Sequence, residues 1–88
     1  MGALIDLREP AVIEKDGYIA GAVHIPVRDL LNNLDKLPAQ DEPIVIYCDS
    51  GHRGALAMSA LQHLGYTNVR NLAGGLKAWV AAELPVTR

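Results

Sequence analysis

The sequence predicts an α/β domain, a small parallel β-sheet flanked by helices on both faces. Two observations carry that expectation. Short β-branched and aliphatic runs alternate with segments of helical periodicity along the whole of residues 1–88, the signature of βαβ units. One of those runs, Ile44-Val45-Ile46-Tyr47, is continuously apolar, as a strand covered on both faces must be.

Each element follows from its own residues. Ala3-Leu4-Ile5-Asp6-Leu7-Arg8 reads as a buried strand carrying two charges at its end. Pro10 opens a short helix, Ala11 to Lys15, and Asp16-Gly17 turns the chain. Gly21-Ala22-Val23-His24-Ile25 is a second short strand, stopped by Pro26. Leu30, Leu31, Leu34 and Leu37 share one face of an amphipathic helix expected from Asp29 to Leu37, which Pro38 ends. After the strand at Ile44–Tyr47 and a turn at Asp49-Ser50-Gly51-His52, helical spacing resumes at Arg53. Its apolar stripe is Leu56, Ala57, Ala60, Leu61 and Leu64. Gly65 supplies a left-handed stop, and His63 suits the negative end of that helix. Val69-Arg70-Asn71-Leu72 is the next strand. Gly74-Gly75 opens a helix to Ala82 that buries Leu76 and Trp79, and Pro85 closes the pattern.

Composition narrows the function classes. Half of the chain is hydrophobic, enough for a modest core in one domain, and neither a linker nor a repeat is visible. The formal charge is −2 with Lys and Arg scattered, which argues against nucleic acid as a partner. No apolar run approaches the ~18 residues of a membrane span, and the N-terminus lacks a signal-peptide pattern. One cysteine forms no internal disulfide, in keeping with a reducing cytoplasm. Three scattered histidines and that cysteine have no metal-ligand spacing, so neither a metal site nor a cofactor is expected.

The chemistry concentrates at Cys48. Sites in parallel sheets lie at the carboxyl ends of the strands, where Cys48, Arg8 and Ala73 all fall. A cysteine between a strand and a helix N-terminus meets backbone N–H groups and the positive end of the helix dipole, which favour thiolate over thiol. Arg53 adds a fixed positive charge at the mouth of the same loop. A lone cysteine is often just a small buried hydrophobe. That explanation accounts for burial but not for Gly51, Arg53 or the helix that follows. Cys48 is therefore expected to be a nucleophile.

Three signatures in order now give a resemblance. The first is Leu4-Ile5-Asp6-Leu7-Arg8-Glu9-Pro10 followed by Tyr18-Ile19-Ala20-Gly21-Ala22-Val23-His24-Ile25-Pro26. The second is Tyr47-Cys48-Asp49-Ser50-Gly51-His52-Arg53. The third comprises Gly65-Tyr66, Asn68-Val69, Asn71-Leu72, Gly74-Gly75-Leu76-Lys77-Ala78-Trp79 and Pro85-Val86. Together they resemble the rhodanese family along nearly the whole chain, and they imply one rhodanese-like domain over residues 1–88 with sulfurtransferase activity. In that family the loop cysteine takes a sulfane sulfur from a donor, becomes a persulfide, and passes the sulfur to a thiol or other nucleophile. Carried over, Cys48 would be the nucleophile and sulfur carrier. Backbone N–H groups of Asp49, Ser50, Gly51, His52 and Arg53 would cradle the terminal sulfur, and Arg53 would hold the anionic donor and the charged persulfide.

The departures from the family pattern are informative. The family's usual first strand and helix have no counterpart before Met1, so a minimal domain or a piece of a longer chain is expected. Glu83 stands where a Gly is usual, a cost of ~1 kcal/mol if the position is left-handed. Asp49 stands where many active members carry a basic residue. Its charge opposes both the thiolate and an incoming dianion, so a persulfide on a partner protein or small thiol is expected to be a better donor than thiosulfate.

The remaining residues have plainer readings. Asp6 and Arg8 are expected to form a buried or half-buried ion pair that shapes the floor of the site and takes no catalytic proton role, and Glu9 a solvated charge. His24 reads as a structural hydrogen-bonding residue. His52 is open between loop geometry and tuning of the thiolate. Two other functions compete with sulfur transfer. A phosphatase or arsenate reductase also places Cys and Arg around an anion loop. Here, however, four residues separate Cys48 from Arg53, one fewer than the loop with which cysteine phosphatases surround phosphate. A non-catalytic rhodanese-like binding or regulatory module is the other alternative, and retention of the cysteine argues against it.

Overall fold

The computed structural model describes residues 2–87. Four strands, β1 (Ala3–Asp6), β2 (Val23–His24), β3 (Ile44–Tyr47) and β4 (Val69–Asn71), form one parallel sheet in the order β2-β1-β3-β4. Helices α1 (Pro10–Asp16), α2 (His52–His63) and α3 (Gly75–Ala81) alternate with them. Side-chain alternation along the strands splits the core in two. Ile5, Ile44 and Ile46 pack on one face with Leu30, Leu37, and Ala57 and Leu61 of α2. Leu4 and Tyr47 face the other way, toward Ile19, and Leu76 and Trp79 of α3. The sheet is thus covered on both faces, as the continuous apolar run of β3 requires. Among the described residues, no helix is long and apolar enough to cross a membrane.

Four local expectations are corrected. β1, β2 and β4 are shorter than the runs expected for them, whereas β3 keeps its full Ile44–Tyr47. β1 ends at Asp6 because the Arg8 backbone N–H turns back to Asp6 Oδ1 at 3.0 Å. The α-helix expected from Asp29 to Leu37 is instead two short 3₁₀ turns, Val27–Asn32 and Leu34–Lys36. Asn33 sits at the break with φ −130° and ψ 31°, and its Nδ2 donates to the Asp29 carbonyl at 2.7 Å. An asparagine side chain that binds backbone competes in this way with helical hydrogen bonding. Helix α2 turns a different face inward: Gly54, Ala57 and Leu61 are buried, whereas Leu56 is 74% and Leu64 45% exposed. The close approach of Gly54 to Asn71 sets that rotation, since a Cβ at Gly54 would lie 2.0 Å from Asn71 Oδ1. Trp79, expected in the core, is only half-buried, and its Nε1–H donates to the Pro85 carbonyl at 2.7 Å.

The end of α3 bears out the conformational cost suspected at Glu83. Glu83 N–H bonds the Val80 carbonyl at 2.9 Å and Leu84 N–H the Trp79 carbonyl at 3.2 Å, which is a Schellman motif. Its left-handed position is Glu83, with φ 60°. Replacement of Glu83 by Gly is therefore expected to stabilise the domain by about 1 kcal/mol, the left-handed penalty less the extra entropy of an unfolded glycine. A urea midpoint that rises for Glu83→Gly checks this. Beyond the motif, the chain returns to pair Thr87 with Tyr18 through two backbone hydrogen bonds of 2.7 and 2.8 Å.

Candidate active site

Because the strands are parallel, their carboxyl ends share one rim, and the register decides what meets there. Asp6 lies beside Tyr47 on β3, and Ile46 beside Asn71 on β4. Arg8 and Cys48, just past these ends, are consequently neighbours. Cys48 is 3% exposed, and its Sγ accepts hydrogen bonds from the N–H groups of Gly51 (3.1 Å) and Gly54 (3.4 Å). Gly51, with φ 99°, is the N-cap of α2, and Gly54 lies in its first turn. The sulfur therefore rests on the positive end of a twelve-residue helix, where a negative charge is favoured. Asn71 Nδ2 donates to the Gly51 carbonyl at 3.0 Å and holds the loop from the β4 side.

Helix α3 fixes the other side of the loop. Leu76 N–H donates to the Cys48 carbonyl at 2.8 Å, and Lys77 N–H to the Asp49 carbonyl at 3.0 Å. In a planar trans peptide the next N–H points opposite the carbonyl, so the amides of Asp49 and Ser50 face away from α3. Gly75 makes this contact available. Its φ is 61°, and a Cβ there would lie 2.4 Å from the Cys48 carbonyl oxygen.

Beneath the loop is the expected buried pair. Arg8 Nε donates to Asp6 Oδ1 at 3.0 Å and Nη2 to Asp6 Oδ2 at 2.8 Å, with a further bond from Nη2 to the Gly17 carbonyl at 2.6 Å. Burial alone would lower the Arg8 pKa. Hydrogen bonding and charge from Asp6, with Tyr47 and Asp49 adding to them, hold it above its ordinary value. His24 Nε2 lies 2.6 Å from the Arg8 carbonyl, the hydrogen-bonding role anticipated for it.

Tyr47 O–H donates to Asp6 Oδ2 at 2.7 Å and accepts from Ile19 N–H at 3.1 Å. Burial, reinforced by the Asp6 carboxylate, pushes the Tyr47 pKa up to about 12 against the opposing pull of Ile19 N–H and Arg8. The folded state therefore keeps a proton that the unfolded chain loses near pH 10, and stability falls as pH rises between roughly 10 and 12. The phenol's share of that loss is on the order of 2–3 kcal/mol. Tyr47→Phe should be less stable at neutral pH and should show a flatter decline across that interval. Urea midpoints of the two proteins at matched pH test it.

The cleft above this floor has a volume of about 370 Å³ and is lined by Arg8, Glu9, Val12, Cys48, Asp49, Ser50, His52, Arg53 and Lys77. Most residues singled out in the sequence converge here: Cys48, Asp49, Ser50, His52, Arg53 and Arg8 on its walls, Gly51 under the sulfur, Asp6 behind Arg8. Glu9, expected as a solvated charge, lines the rim and pairs with Arg28. Gly54, Asn71 and Lys77 were not foreseen. A glycine one turn into a helix and an asparagine at a strand end were visible signals, but a lysine on a short helix reads as solvent-facing until the helix is docked. Among the described residues, no group of His, Cys, Asp and Glu could hold a metal ion.

A space of this size, with three cationic side chains around a cysteine, suits reactions at a small anionic group. It defines an α/β domain that carries its cysteine between a strand and a helix N-terminus, with backbone N–H groups turned to the sulfur. Residues 1–82 match the model of the rhodanese-like domain, and the chain belongs to that family. It is similar to a protein named sulfurtransferase from Allochromatium vinosum, 39% identical over 83 residues that cover 94% of this chain and 76% of the relative. A human relative named thiosulfate:glutathione sulfurtransferase is 36% identical over 80 residues, covering 76% of this chain and 70% of its own. The crystal structure of a rhodanese-related protein from Thermoplasma volcanium superposes with a TM-score of 0.87 at 30% identity, covering 98% of this chain and 83% of that one.

Proposed function

We propose that the protein is a sulfurtransferase that carries sulfane sulfur on Cys48. The Cys48 thiolate attacks the sulfane sulfur of the donor, and a new S–S bond forms as the donor's bond to that sulfur breaks. The donor residue leaves with the electron pair. An acceptor thiolate then attacks the terminal sulfur of the persulfide, and Cys48 leaves as thiolate. No oxidant or reductant is consumed in the cycle. The observation that supports this most directly is the pair of N–H groups that donate to Cys48 Sγ, the atom that makes and breaks the S–S bond.

The other residues take roles around that sulfur. Amides of residues 49–53 would receive the terminal sulfur, with those of Asp49 and Ser50 turned from α3. Arg53 and Lys77 would attract the anionic donor. Asp6 and Arg8 would hold the floor without exchanging protons. Thiosulfate, a small-thiol persulfide and a persulfide on a partner protein are the donor classes, and a thiol is the acceptor. Intact mass after exposure to each donor tests the reading. A gain of one sulfur atom, absent in Cys48→Ser and discharged by a thiol, supports it. An unmodified Cys48 with every donor would favour the non-catalytic binding module.

A further inference from the structure

The Arg8 guanidinium is locked in place yet incompletely partnered. Nε and Nη2 are taken by Asp6 and the Gly17 carbonyl, whereas Nη1 has no hydrogen-bond partner among the described residues, although the side chain is only 3% exposed. Arg8 borders the cleft that holds Cys48. Asp49 Oδ1 stands 3.9 Å from Nη1, close enough for an ion pair and too far for a hydrogen bond. The two side chains differ in freedom. Arg8 is held by three side-chain hydrogen bonds, while Asp49 is 47% exposed and can turn onto or off Arg8 without breaking packing.

We propose that Nη1 of Arg8 is an anion subsite for the sulfur donor, and that the Asp49 carboxylate is its competing cover. An anionic donor docks there by displacing Asp49, and its oxygen completes the hydrogen bonding of Nη1. Arg8 thereby becomes a specificity-determining residue as well as part of the floor. The proposal rests on the sulfur-transfer reading for the identity of the ligand and adds the contact that selects it. It also changes how Asp49 disfavours thiosulfate. Simple repulsion acts at a distance, whereas occupancy of Arg8 is a direct competition between two anions for one donor.

Calorimetric binding of inorganic thiosulfate to Cys48→Ser tests this, because that variant cannot accept sulfur. Adding Asp49→Asn should tighten binding about fivefold at low salt, the scale of one partly screened charge, and the gain should shrink at high salt. Adding Arg8→Lys should abolish the gain, since lysine keeps the charge but not the second nitrogen of the fork. Because Arg8 also holds Asp6, the same question is asked without altering it. Guanidinium N–H resonances of Arg8 in the Asp49→Asn, Cys48→Ser protein should shift on titration with thiosulfate. Equal affinity with and without the Asp49→Asn change, or Arg8 resonances that stay fixed while thiosulfate binds, would overturn the subsite. Loss of sulfur uptake by the natural chain with this binding pattern intact would instead count against the sulfurtransferase reading alone.

Discussion

Gly75→Ala is expected to remove a large share of the domain's stability. A left-handed alanine costs about 1–2 kcal/mol before any contact is considered. The added Cβ would lie 2.4 Å from the Cys48 carbonyl oxygen and 2.6 Å from the carbonyl carbon and oxygen of Asp49, all main-chain atoms that cannot rotate aside. Helix α3 would have to retreat, weakening the bonds from Leu76 and Lys77 to those carbonyls at about 1 kcal/mol each. The sum, roughly 3–4 kcal/mol, is set against a total of roughly 4–13 kcal/mol for 88 residues. Gly21→Ala is the control. Gly21 has φ 89° but nothing within 4 Å of a new Cβ, so it should lose only the conformational part. Urea unfolding of both variants separates the two terms. Equal midpoints would mean that α3 does not press on the Cys48 loop.

Arg53→Ala should act on turnover and leave the fold almost untouched. The side chain is exposed and lines the cleft beside Cys48, so its removal empties no core. A charge-assisted hydrogen bond to an anionic donor contributes about 1.5–3 kcal/mol, which corresponds to a loss of roughly 10- to 150-fold in kcat/KM. Arg53→Lys should recover part of that loss, because it restores the charge without the planar fork. Steady-state kinetics with thiosulfate, alongside the thermal midpoint, tests both statements. Unchanged transfer by the alanine variant would remove Arg53 from donor binding.

The Cys48 loop was legible because its pattern is local. Cys48, Gly51 and Arg53 follow one another within a single strand–turn–helix step, and backbone geometry alone brings them to one edge. Residues that reach the site through packing were not legible. Lys77 enters the cleft only because α3 docks its first turn on the Cys48 and Asp49 carbonyls. Gly54 and Asn71 meet only because α2 rests on β4, and their contact overrules the leucine count that put Leu56 and Leu64 inside. The segment from Asp29 to Leu37 failed for a related reason. Its leucine spacing is helical, but Asn33 offers the chain a side-chain hydrogen bond instead. Glu83 shows the reverse case, where one residue out of pattern announced a left-handed turn.

The first amides of a helix have no partner within it and ordinarily exchange their hydrogens with water quickly. Those of Leu76 and Lys77 are bonded instead to the carbonyls of Cys48 and Asp49. Their exchange therefore keeps time for the parting of loop and helix, not for the fraying of α3 itself. A ligand that draws the loop inward slows these two amides, and one that spreads it quickens them. Two hydrogens on the carbonyls of Cys48 and Asp49 thus report the motion of the cysteine's loop without touching its sulfur.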